Sequence, residues 1–285
     1  MKNTVYLRLR INGTQLWSFA LFTLTLSVFV FLLFDIIYQG SSGISLEWFL
    51  SPPESSGRDG GISSILVSTT YVLIVCIVFS LPLALACAIF LCENVRPKGP
   101  TYRFVIASLD LLSSIPSIVF GLFGFSFFVL YLGLGFSILA GGLTLGLMVL
   151  PMLTRLIQDC FENISPEIRL SAYASGLNLY AVYRNVIIPA SRNNILAAVV
   201  LSICRALSET AALLYTAGYV YRMPETLLDS GRTLSVHILD LAMNVPGGNQ
   251  NSYTSALTLL IFLLVINLSI FTIGKSRTQA KAIRL

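Results

Sequence analysis

The chain of 285 residues is 55% hydrophobic and only 11% charged, with a mean hydropathy of +0.82. That composition excludes an ordinary soluble domain, so length counts membrane spans here rather than soluble cores. The net charge of +5 is spread over short loops and chain ends instead of one face, which excludes nucleic-acid binding.

Lys2, Arg8 and Arg10 precede the first apolar run, residues 16–38. This run is too long for a signal-peptide core and lacks an Ala-x-Ala cleavage site, so a retained anchor is expected. A loop with Glu47, Glu54, Arg58 and Asp59 leads to the second run, residues 62–92, which Pro82 interrupts. After Arg96, Lys98 and Arg103, a third run starts near Val105 or Ile115 and reaches Leu132. Only Gly133-Leu134-Gly135 separates it from the fourth, residues 136–156. Arg155, Arg169, Arg184 and Arg192 accompany the long fourth loop, and residues 194–221 form the fifth run. Arg222, Glu225, Asp229, Arg232 and Asp240 follow, then the sixth run at 253–274 and a tail with Lys275, Arg277, Lys281 and Arg284. Each run offers about 20 residues or more, enough to cross the hydrocarbon core.

Lys and Arg concentrate in alternate loops, which assigns those loops and both termini to the cytoplasm and requires an even number of spans. The expected fold is all-α, a polytopic membrane protein with six transmembrane helices. Residues 1–61 hold the tail, first helix and first outer loop; residues 62–274 form a five-helix core; residues 275–285 are a basic tail. Cys76, Cys87, Cys92, Cys160 and Cys204 show no CxxC spacing and read as structural thiols, Cys160 in a cytoplasmic loop.

Residues 157–193 are too long for a simple turn. Ser165-Pro166-Glu167 is a helix start with a Ser cap and Pro in the first turn. Gly176 and Asn178 mark a stop and restart, and a second helix is expected from Leu179 to about Val186, ending before Pro189. Such a helix–Gly–helix either docks a partner or lies on the lipid headgroups.

The middle of the fifth run carries Arg205-Ala206-Leu207-Ser208-Glu209-Thr210. Charges at mid-membrane cost at least a few kcal/mol and face a pathway or a partner helix. Arg205 and Glu209 are four apart, hence on one helical face, with Arg205 about 15 Å from the cytoplasmic end. The pair serves either as helix glue or as a polar pathway. Ser113, Ser114 and Ser117 around Pro116 either return hydrogen bonds to carbonyls that the proline frees or line a cavity. Gly121, Gly124 and the glycines between 133 and 146 point to close helix packing. The single histidine, His237, has no ligand-spaced neighbours, so no metal site is expected. Gly274-Lys275-Ser276 imitates the end of a P-loop, but the required earlier glycine is Ser269. Without a P-loop, redox motif or catalytic constellation, the chain reads as a non-enzymatic subunit whose energy comes from another chain. A secondary transporter, the less favoured class, would show paired broken helices in both halves.

Arg169-Leu170-Ser171-Ala172-Tyr173-Ala174-Ser175-Gly176 and the later Val186-Ile187-Ile188-Pro189 resemble the EAA loop of ABC-importer membrane subunits. Ala172, Gly176 and Pro189 keep the family spacing, whereas Leu170 and Ser171 replace its Glu-Ala. Pro52-Pro53, Gly60-Gly61-Ile62 and Thr69, then Ile115-Pro116-Ser117-Ile118-Val119-Phe120-Gly121-Leu122-Phe123-Gly124, resemble segments of the A-type membrane subunits of phosphate-specific transport. So do Arg205-Ala206-Leu207-Ser208-Glu209-Thr210-Ala211, with Ser208 for Gly, and Thr233-Leu234-Ser235-Val236-His237-Ile238.

The resemblance implies a type I ABC-importer permease fold in a bacterial inner membrane. It implies a second permease subunit, a cytoplasmic ATPase dimer that binds ATP and magnesium, and an extracytoplasmic phosphate-binding protein as partners. The pathway would comprise Arg205, Glu209, Ser208, Thr210, Ser113, Ser114, Pro116 and Ser117. ATPase coupling would fall to Glu167, Arg169, Ser171, Ala172, Gly176 and Pro189, with Glu167 standing in for the missing loop glutamate. No cofactor is implied in this chain. Other oxyanions, namely sulfate, molybdate or tungstate, are the alternative cargo.

Overall fold

The computed structural model describes residues 13–96 and 99–282, with side chains between residues 16 and 269. Lys2, Arg8, Arg10, Lys98 and Arg284 lie outside the described residues, as do the side chains of Lys275, Ser276, Arg277 and Lys281.

Helix α1 spans Gly13–Gly40. A short α2, Leu46–Leu50, starts where the Ser45 side chain accepts from the Trp48 amide. A small antiparallel hairpin follows, β1 Pro53–Glu54 against β2 Asp59–Gly60. Helix α3, Ser63–Ile89, continues into a wide π turn at Phe90–Asn94. Next come α4, Pro100–Ser114, and α5, Ser117–Gly124, the latter prolonged by a π turn at Phe125–Tyr131. The remaining helices are α6 Ile138–Glu162, α7 Pro166–Ala174, α8 Leu179–Val182, α9 Ile188–Leu207, α10 Ala211–Leu214, α11 Leu234–Met243 and α12 Asn249–Ala282.

Among the described residues five helical segments are long and apolar enough to cross a membrane. A sixth candidate is the pair α4–α5, whose halves meet at 95° and together form either a broken span or a re-entrant loop. Neither half alone supplies the roughly 20 residues a crossing needs. Six apolar runs therefore correspond to six candidate spans, the third of them broken.

Helices α3 and α6 form the centre. A Cβ added to Gly142 would sit 2.5 Å from the Val75 side chain, and one on Gly146 2.7 Å from Phe79, so the glycines let the backbones meet. Val72, Cys76, Leu145, Leu153, Ile157 and Phe161 are buried along this contact. Helix α1, by contrast, packs on α12 and leaves its apolar surface bare.

Three expectations require correction. The fifth span does not run to Tyr221: α9 stops at Leu207, and a short α10 and an extended loop follow. The second amphipathic helix does not end before Pro189, because residues Leu179–Leu207 form one continuous helical segment. Proline lacks an amide hydrogen, and its ring collides with the carbonyl four residues back. The wide turn at Tyr183–Ile187 absorbs both problems and lets the helix continue. Arg155 and Cys160 are not loop residues either, since α6 extends to Glu162.

At the end opposite the α6–α7 connection, a buried polar knot ties the hairpin to α11. Arg232 pairs with Asp240 at 3.0 Å, donates to the carbonyls of Tyr219 and Ser56 at 2.9 and 3.2 Å, and lies 3.4 Å from His237 Nδ1. A Cβ on Gly57 would come within 2.5 Å of His237 Cε1. Burial first, then the Arg232 charge, push the imidazole down to about 4, against an opposing pull from Asp240. The unfolded chain takes up this proton near pH 6.5 and the folded chain only near 4, so stability present above pH 6.5 falls between 6.5 and 4. Thermal unfolding of the detergent-purified protein at pH 7 and 5 should show that loss, flattened in His237→Asn. An unchanged pH dependence in the variant contradicts the assignment.

Candidate functional site

The break after α9 coincides with the intramembrane charges. Ser208 returns its hydroxyl hydrogen to the Cys204 carbonyl at 3.0 Å, and Ser235 donates to the freed Glu209 carbonyl at 2.6 Å. Hydroxyls that serve nearby carbonyls give the backbone an alternative to the helical ladder. Arg205, in the last turn of α9, reaches across the break to Glu209, Nη2 to Oε1 2.8 Å. The expected contact is present, although the helix expected to carry it is not continuous. The Glu209 side chain is 7% exposed and that of Arg205 52% exposed. A nearly dry carboxylate thus holds one edge of a guanidinium whose other donors remain open.

A second break lies opposite. The residue before Pro116 is driven into extended backbone, and Ile115 accordingly ends α4 at φ −69, ψ 129. Beyond the bend, α5 packs on α10: a Cβ on Gly121 would stand 3.0 Å from the Ala212 Cα. The two sequence motifs therefore meet through a glycine contact.

Between them lies a cavity of about 350 Å³ whose lining includes Arg205, Ser113 and Arg155, with Phe120, Met148 and Met152 as apolar wall. Of the four proposed wall residues around the bend, Ser113 alone lines it; Ser114, Pro116 and Ser117 do not, nor do Ser208, Glu209 and Thr210, so Glu209 borders the cavity only through its contact with Arg205. Ser113 and Ser114 donate to the Leu109 and Leu111 carbonyls at 2.9 and 2.7 Å, so their hydrogens are already committed. Arg155 escaped sequence reasoning because it was counted as a loop charge. It pairs with Asp110 of α4 at 2.7 Å, and the available signal was a cation inside the fourth apolar run facing an anion inside the third.

The segment joining α6 to α9 forms a separate surface. Pro166 opens α7, Gly176 turns the chain at φ +78, and Asn178 accepts from the Ala181 amide at 2.9 Å to start α8. A side chain at φ +78 would be strained, so glycine is required there. Glu167, Ser171, Ala172, Ser175 and Leu177 line an open groove of about 530 Å³. Leu170 is exposed beside it. Arg169 points the other way, forming an ion pair with Glu93 at the π-helical end of α3 and donating to the Phe161 carbonyl at 3.2 Å. Tyr183 and Tyr173 also donate to the Glu93 carboxylate, at 2.9 and 3.1 Å. Burial and then this carboxylate raise the Tyr173 phenol above its ordinary range. Glu93 was not singled out in the sequence, where it is one acid at the end of an apolar run.

Among the described residues no three His, Cys, Asp or Glu side chains come together as a metal site. Residues 80–276 match the family described as the binding-protein-dependent transport system inner membrane component. The chain is 27% identical over 254 residues to a probable ABC transporter permease protein, YqgI, of Bacillus subtilis, covering 84% of this chain and 86% of that protein. It is 28% identical over 271 residues to the phosphate transport system permease protein PstA of Mycobacterium leprae, covering 92% and 87%. A PstA homolog of Mycoplasma pneumoniae is 36% identical over 213 residues, 69% of this chain but 32% of that longer protein. Two solved structures share the fold. One is a bacterial ABC transporter for alginate import, with TM-score 0.62 and 15% identity, covering 92% of this chain and 99% of that one. The other is the MetNI methionine transporter, with TM-score 0.57 and 18% identity, covering 76% and 94%.

Proposed function

The chain belongs to the family of binding-protein-dependent transport inner-membrane components, and we propose that this multi-pass permease subunit of an ABC importer carries inorganic phosphate. The observation that carries the proposal is Arg205, held by Glu209 at a helix break and open on a cavity. Guanidinium offers a planar donor fork matched to phosphate oxygens. Glu209 then sets the cargo: phosphate at neutral pH keeps an O–H that can donate to a carboxylate, whereas sulfate has none and is repelled. The carboxylate also keeps arginine from trapping the anion, and passage needs weak binding. The names of the phosphate-transport relatives support the same cargo.

The groove on α7 and the following turn receives an ATPase subunit in this account, with Glu167, Ser171, Ala172 and Gly176 at the contact. Arg169 acts from behind, as a brace to α3. A second permease subunit, the ATPase dimer and an external phosphate-binding protein complete the importer. Both termini and the 157–193 segment face the cytoplasm. In a background lacking the five native cysteines, cysteines at Ser55 and Asn249 should react with an impermeant maleimide from outside, and one at Ser175 only after permeabilisation. Labelling of intact cells at Ser175 contradicts that orientation.

The cargo is tested by uptake into proteoliposomes holding the whole importer. ATP-dependent accumulation of labelled phosphate, undiminished by about a tenfold excess of sulfate or molybdate, is the expected outcome. Equal uptake of sulfate refutes a phosphate-selective pathway.

A further inference from the structure

Arg155 and Arg205 line one cavity, and each is engaged by one carboxylate oxygen from a different element. Arg205 binds Glu209 at 2.8 Å, and Arg155, through Nη2, binds Asp110 Oδ1 at 2.7 Å. A guanidinium has five donors in a fork, so a single carboxylate contact leaves most of each unused. The two arginines also lie at different distances along their own helices. Arg155 is seven residues before the end of α6 at Glu162 and Arg205 seventeen after the start of α9 at Ile188. At about 1.5 Å per residue these offsets are roughly 10 and 25 Å along the two helix axes. Phe120, Met148 and Met152 supply an apolar wall beside the pair, which raises the field of both charges on that side.

We propose that Arg155 is a second anion station, receiving a tetrahedral oxyanion from Arg205 on its way to the cytoplasmic side, with Asp110 as its displaceable counter-ion. The proposal rests on the reading of Arg205 as a pathway residue. The incoming anion takes the donors that Asp110 holds, and Asp110 reclaims them on release, so neither station holds the cargo tightly. Two weak stations pass an ion more readily than one strong site. Asp110 is well placed to yield, because it lies on α4, on the far side of the 95° bend from α5.

The whole importer in proteoliposomes tests the station through three variants and one comparison. Arg155→Gln should lower phosphate uptake about tenfold or more, as expected for a lost charge-assisted hydrogen bond to the anion, while Arg155→Lys retains part of it. Asp110→Asn should tighten inorganic phosphate binding to the importer, measured by equilibrium dialysis without the binding protein. The double variant Arg155→Gln with Asp110→Asn separates a station from a structural pair, since joint removal of a pair that only holds helices is often neutral. Uptake that stays low in the double variant supports the station; recovery to the wild-type rate overturns it. Arg205→Ala, measured alongside, keeps the two ideas apart. If it abolishes uptake while Arg155→Gln transports normally, the second station fails and the Arg205 pathway stands. If Arg205→Ala transports normally, the pathway itself fails.

Discussion

Arg205→Ala should abolish phosphate uptake while the importer still assembles. On the proposed pathway Arg205 offers the anion at least two charge-assisted hydrogen bonds of about 1.5–3 kcal/mol each, so uptake should fall about a hundredfold or more. The substitution also leaves Glu209, 7% exposed, without its cation. Stranding that carboxylate costs stability, so assembly of the variant is checked alongside its transport. Co-purification of the partner subunits separates this outcome from misassembly. Assembly with wild-type uptake contradicts it.

Glu93→Ala should uncouple the proposed ATPase partner from the spans. The change strands Arg169 beside the Phe161 carbonyl and removes the acceptor of Tyr173 and Tyr183. Breaking a largely buried pair from one side costs about 3–5 kcal/mol, comparable to the stability of a short helix docked on a larger body. Helix α7 then no longer moves with the end of α3. The expected result is membrane insertion at wild-type level with uptake lost and ATP hydrolysis unresponsive to the loaded binding protein. Replacing both partners by leucine should recover much of the docking, because no charge is left stranded. Stimulated hydrolysis in the single variant shows that the brace carries no signal.

The spans were legible because about 20 apolar residues in a row have few alternatives to a membrane helix. The helix–Gly–helix was legible too, since Pro166, Gly176 and Asn178 act through local backbone chemistry, although the expected cap from the Ser165 side chain is not made. What failed to show was tertiary. The break after Leu207 depends on Ser235, 26 residues beyond Glu209, supplying a hydrogen bond to the Glu209 carbonyl. Pro189 is carried inside a helix by a π turn that no spacing rule announces. Arg155 and Glu93 acquire their meaning from Asp110 and Arg169, which are distant in sequence. The Arg205–Glu209 contact was visible for a reason that proved incomplete: four residues is a helical neighbour spacing, yet a break with a short reach brings the same two groups together.

The central claim is that Arg205 touches the passing anion, and the double variant Arg205→Ala with Glu209→Ala tests it most directly. Removing both charges leaves nothing stranded, so a pair that only holds helices together tolerates the change. A pathway arginine does not, because no other group takes over its donor fork. ATP-driven phosphate uptake by the assembled double variant should stay as low as in Arg205→Ala; uptake near the wild-type rate contradicts the account.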